Sequence, residues 1–132
     1  MPRLFGYDIR EPSKDELGWF SKNPKVSGRA VFEDNTIVLN PYSGLTPEQY
    51  QAVAVNEAAR LYMRNNNIVP EFDVTDEQVG LFKGTAYEKD PLAMRETILG
   101  RGLSSDPSSG KLTPQQKALV EILRKAMMGG TQ

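Results

Sequence analysis

Ala30-Val31-Phe32-Glu33-Asp34-Asn35-Thr36-Ile37-Val38-Leu39, followed after residues 40–45 by Thr46-Pro47-Glu48-Gln49-Tyr50, decides the fold. Two apolar, β-favouring runs flank Asp34-Asn35, residues that tolerate the positive φ angles of a tight turn, so residues 29–40 read as a β-hairpin. Thr46 is then an N-cap, Pro47 occupies the first helical position and Gln49 completes a capping box, with Leu45 and Tyr50 placed for a hydrophobic staple. Tyr50, Val53, Ala54, Ala58 and Leu61 recur at helical spacing and define one core-facing stripe, which Asn65-Asn66-Asn67 ends. A hairpin that feeds a capped helix is the nucleus of an α+β fold. Two strands alone are marginal in water, so this hairpin must pack on helices, gain a strand from the N-terminal arm, or pair with another chain.

Working outward, residues 1–25 read as an arm followed by a short helix. Phe5, Tyr7 and Ile9 alternate in the arm and suit a short strand. Ser13-Lys14-Asp15-Glu16 is a capping box for a helix over about residues 14–20, which Asn23-Pro24 breaks. On the other side, Thr75-Asp76-Glu77-Gln78 caps a short helix ending near Gly84. Asp90-Pro91 starts another, carrying Leu92, Met94, Ile98 and Leu99 and closed by Gly100 or Gly102. Residues 104–111, rich in Ser, Pro and Gly, read as a flexible linker. Thr113-Pro114-Gln115-Gln116 then opens a C-terminal helix over 113–128 with a narrow stripe of Leu119, Ile122, Leu123 and Ala126. The expected fold is one β-hairpin packed on three to four short helices in a single domain spanning 1–132.

Composition removes most chemistry. Histidine and cysteine are both absent, which eliminates the commonest general base, the thiol nucleophile and the softer metal ligands. With 16 basic and 17 acidic side chains, the net charge of -1 gives no footprint for nucleic acid and no polybasic membrane patch. No apolar run suits a signal peptide or approaches the ~20 residues of a membrane span, so the expected site of synthesis is a cytoplasm. No cofactor and no metal are expected.

One residue stands out. Glu57 falls four residues after Val53 and four before Leu61, placing a carboxylate inside the apolar stripe. Arg60 and Arg64 follow one and two turns on, and a structural ion pair among Glu57, Arg60 and Arg64 is the expected role. A general acid with a raised pKa, as in glycosidases, is the alternative, although local spacing supplies no second carboxylate. Asn56-Glu57-Ala58-Ala59-Arg60 has the frame of a zinc-protease helix, but Asn56 and Arg60 stand where both histidine ligands are needed. Glu71, Asp73, Asp76 and Glu77 lack the periodicity of a calcium loop and suit a helix N-terminus. Gly100-Arg101-Gly102 and Gly110-Lys111 lack the spacing of a phosphate loop. Trp19, Tyr42, Tyr62 and Tyr87 lie near element ends, as core or interface.

Ile37 to Ser43, Asn56 to Arg60, Phe82-Lys83-Gly84-Thr85-Ala86-Tyr87, Asp90 to Ile98 and Leu103 to Ser108 form a string that resembles a group of small uncharacterised proteins of tailed bacteriophages and related bacterial genomes. The resemblance covers the chain from about residue 23 onward. It implies a phage setting, a virion component made in the host cytoplasm, and no catalytic residue. The leading expectation is a non-enzymatic accessory structural protein that docks on larger capsid, portal or tail proteins or on copies of itself. Its partners include no nucleic acid, membrane or small-molecule ligand. The alternatives are a small peptidoglycan hydrolase using Glu57 as its acid and an inhibitor of a host protein. The hairpin offers an edge to a partner. The candidate interface residues are Val31, Ile37, Leu39, Leu119, Ile122, Leu123 and Met127, although for the stripe of the C-terminal helix packing on its own domain is the favoured role and docking in a partner's groove the alternative.

Overall fold

The structure, a computed structural model, describes residues 2–129. Met1 and residues 130–132 of the expected domain span lie outside the described residues. The fold is a small single-domain α+β arrangement, with a four-stranded sheet beside five α-helices among the described residues.

The N-terminal arm is the strand source that the hairpin needs. β1 (Arg3–Leu4) and β2 (Tyr7–Ile9) pair across Phe5-Gly6, whose φ angles of 52° and 84° match a tight hairpin turn. β2 then lies parallel to β4 (Thr36–Leu39), with Ile9 opposite Ile37, while β3 (Gly28–Val31) runs antiparallel to β4. The order is β1-β2-β4-β3. β4 is therefore internal, and Ile37 and Val38 are its most buried residues. The crossover between β2 and the hairpin carries α1 (Lys14–Lys22), whose capping box at Ser13 and Glu16 forms as the sequence specifies. Arg10 clamps this crossover to the hairpin turn, reaching Glu16 at 2.7 Å and Asp34 at 3.2 Å.

Asn40 joins strand, loop and helix. It is fully buried, its amide nitrogen lies within donating distance of the carbonyls of Phe20, Asn23 and Val26, and its own carbonyl accepts the Tyr50 hydroxyl at 2.6 Å. A buried side-chain amide is tolerated only when bonded in this way.

The helical layer is built from α2 (Pro47–Asn65), α3 (Asp76–Leu81), α4 (Pro91–Leu103) and α5 (Pro114–Gly129). Thr46 and Thr75 carry complete capping boxes, and Asn67, at φ 55°, follows the end of α2. Gly100 and Gly102 do not close α4 but lie inside it. A Cβ on Gly100 would run into Asn56 Oδ1 and meet Asn56 Cα at 3.1 Å, and one on Gly102 would meet Val120 Cγ2 at 2.7 Å. These glycines are notches for α2 and α5, a close-approach role that outweighs their low helix propensity.

Residues 104–111 are likewise not a loose linker. Pro107–Ser109 form a 3-10 turn with Ser109 buried, Arg101 donates to the Ser109 hydroxyl at 3.0 Å, and the Lys111 amide donates to Glu77 at 3.0 Å. Ser, Pro and Gly serve here as turn formers, a use that composition alone does not separate from a tether. The turn seats α5 on α4, and Val120, Leu123 and Met127 join Ala58, Leu61 and Ile98 in one core.

Candidate functional site

Close approach of α2 and α4 at Gly100 brings Glu57, Arg60 and Arg64 against a fourth charged residue, Glu96. Arg60 Nη1 donates to Glu57 Oε1 at 2.5 Å, and Arg60 Nη2 donates to Thr97 Oγ1 at 2.5 Å. Arg64 grips Glu96 with a fork, Nε to Oε2 at 3.0 Å and Nη2 to Oε1 at 2.9 Å. Arg60 Nε is 3.4 Å from Glu96 Oε1 but makes no well-directed hydrogen bond among the described residues. The expected pair of Glu57 with Arg60 is present, whereas Arg64 belongs to Glu96.

Two carboxylates and two guanidiniums alternate in this row, so its charges cancel. Cancellation is needed because Glu57 is 4% exposed and Glu96 1%. Burial still pushes the Glu57 carboxyl above the ordinary carboxylate range, against the pull of Arg60 and with a contribution from Glu96. Burial alone would lower the Arg60 pKa, but Glu57 and its other neighbours outweigh it and raise the value. Aromatic faces complete the row, Tyr87 under Arg60 at 5.6 Å and Phe32 under Arg64 at 4.9 Å.

Sequence reading singled out Glu57 and missed Glu96. The same signal marks both, because Glu96 lies three residues after Ala93 and four before Gly100 within a largely buried helix. Its partner, 32 residues away, is invisible to local spacing.

Glu57 also borders a groove of about 950 Å³ between α2, the start of β3 and the turns at 84–87 and 104–108. Asn56 borders it too. Among the described residues its buried Oδ1 has no hydrogen-bond donor, and it faces the Gly100 Cα in a weak C–H contact. A second depression, of about 460 Å³, lies between Val69, Phe72, Leu92 and Arg95.

The structure divides the candidate interface residues. Ile37, Leu123 and Met127 are buried in the core and present nothing to a partner, while Leu39 and Leu119 pack against it. Their stripes face inward because sheet and helices cover them. Val31 is half-buried, and Ile122, 64% exposed, points outward. The hairpin edge is also narrower than expected, since β2 covers one side of β4 and only β3 keeps an open side. Asn40 N–H donates to Ser27 C=O at 2.9 Å, which fixes the alternation of the β3/β4 ladder. By that alternation, Gly28 and Ala30 turn their backbone N–H and C=O groups outward, away from β4.

Among the described residues no group of three or more acidic side chains is arranged to hold a metal, and no helix is long and apolar enough to cross a membrane. No protein-family model matches the chain, and neither the curated proteins nor the solved structures contain a match to it.

Proposed function

We propose that this chain is a non-enzymatic accessory structural protein of a bacteriophage particle, which docks on a larger capsid, portal or tail protein through the outer edge of β3. The phage setting rests on the resemblance of the sequence string. The observation that carries docking is the open edge at Gly28 and Ala30, whose outward N–H and C=O groups suit an added strand. The absence of histidine and cysteine and the pairing of Glu57 with Arg60 support a role without chemistry.

A second reading, a peptidoglycan hydrolase with Glu57 as its acid, is favoured by one feature, the raised pKa of a carboxyl bordering a groove. Mass spectrometry of purified particles carrying wild-type or Ala30→Pro protein tests the docking reading. Proline at residue 30 removes an outward N–H without removing a β3–β4 bond. The expected result is wild-type protein in the particle and loss of the folded variant. Equal incorporation of both would remove the β3 edge as the docking element, and absence of wild-type protein would remove the particle role.

A further inference from the structure

The Glu57 carboxylate is under-bonded. An ionised carboxylate offers about four acceptor sites, yet among the described residues only Arg60 Nη1 donates to this one, at 2.5 Å to Oε1 and 3.4 Å to Oε2. A carboxylate this buried ordinarily has its remaining sites filled. Glu57 borders the 950 Å³ groove, a volume within the usual range for small-molecule sites.

The groove's charges choose the ligand class. Lys25 and Arg101 are balanced by Glu48 and Asp106, and Glu57 by Arg60. A balanced lining gives no net attraction to phosphates or to polycations. Ser27, Ser105 and Asn56 line it beside Tyr87 and the aliphatic Ala52 and Val53. Hydroxyl donors and acceptors next to small apolar faces suit a ligand that is itself hydroxylated on its edges and aliphatic on its faces.

We propose that the groove binds a neutral saccharide, with ligand hydroxyls donating to the open acceptor sites of Glu57. This reverses the sequence expectation of no small-molecule ligand, and it does not depend on docking at β3.

The test is titration of the isotope-labelled full chain with tetra-N-acetylchitotetraose, read from backbone amide shifts. Ala52→Phe and Ala86→Phe fill the groove from two sides without touching the buried charges. The expected result is saturable shifts confined to the groove in the millimolar range, weakened about ten-fold or more in whichever blocking variant keeps a dispersed spectrum. No shifts up to about 10 mM sugar, equal binding by a folded blocking variant, or a stronger response to inorganic phosphate overturns the proposal. Shortening of the sugar during the titration supports the site and overturns the non-enzymatic reading. Loss of the protein from phage particles leaves the saccharide site unaffected.

Discussion

Gln78 and Gln116, the capping-box glutamines of α3 and α5, bond to each other. Gln78 Nε2 donates to Gln116 Oε1 at 2.7 Å, and Gln116 Nε2 donates back to Gln78 Oε1 at 2.9 Å. Each Oε1 also accepts its own cap amide, from Thr75 or Thr113, and each Nε2 reaches a carbonyl, Lys111 or Asp73. Every donor and acceptor of these two fully buried amides is therefore used. Two helix starts that look alike in sequence for local reasons are physically joined.

That junction implies strong coupling. Gln78→Ala or Gln116→Ala each removes a cap contact and leaves the other amide unsatisfied, at about 3 kcal/mol. The double variant should lose less than the sum, by about 1 kcal/mol or more in denaturant unfolding. Additive losses would show that the pair contributes only as separate caps.

Glycine substitutions should divide by location. Gly18→Ala, in open space on α1, should stabilise by up to about 1 kcal/mol through helix propensity. Gly100→Ala should instead destabilise by about 2 kcal/mol or more, because its methyl meets Asn56 Cα at 3.1 Å as well as Oδ1. Thermal unfolding of both variants checks the contrast, and a neutral Gly100→Ala would contradict the packing-notch role.

Acid stability should depend on Glu16. Its hydrogen bond to Arg10, aided by Ser13, lowers its pKa from 4.5 to about 2 against a desolvation effect. A depressed carboxyl contributes stability that is present above pH 4.5 and is lost as pH falls toward 2. Glu16→Gln should flatten the stability profile over that window by about 1 kcal/mol, a figure reduced for solvent screening at a partly exposed site. An unchanged profile would count against the Arg10 clamp.

Deleting residues 111–132 should abolish cooperative folding. The deletion removes Val120, Leu123 and Met127 from the core and the Gln116 amide from Gln78. Loss of near-native circular dichroism and of a sharp melt is the expected outcome. A truncated chain with an unchanged melting temperature would make α5 an appended arm.

Legibility in the sequence followed the range of the physics. The caps at Ser13, Thr46 and Thr75, the hairpin turn before Thr36 and the stop at Asn65–Asn67 act within a few residues, so spacing reveals them, although the turn spans residues 32–35 and of Asp34-Asn35 Asn35 alone takes a positive φ, 55°. The parallel pairing of Ile9 with Ile37, the Glu96 fork to Arg64 and the notch roles of Gly100 and Gly102 need elements distant in the chain to meet. Glu57 was legible as a buried acid because its own stripe is local. The α5 stripe was legible as one that packs on its own domain, and Leu123 and Met127 do so, but the ordered turn at 104–111 was not, because a serine-rich stretch reads as a tether until its hydrogen bonds are seen.

The central claim, that this chain acts by docking and holds its buried acid as structure, is tested most directly by the unfolding free energy of Glu57→Gln beside a cell-wall lysis assay. Loss of a buried partner costs ~3 to 5 kcal/mol, and the low end applies because Arg60 keeps Thr97 and has Glu96 nearby. A loss of about 3 kcal/mol with no lysis by either protein is the expected result. Unchanged stability, together with a wild-type lytic activity that the variant lacks, would make Glu57 a catalytic acid and contradict the claim.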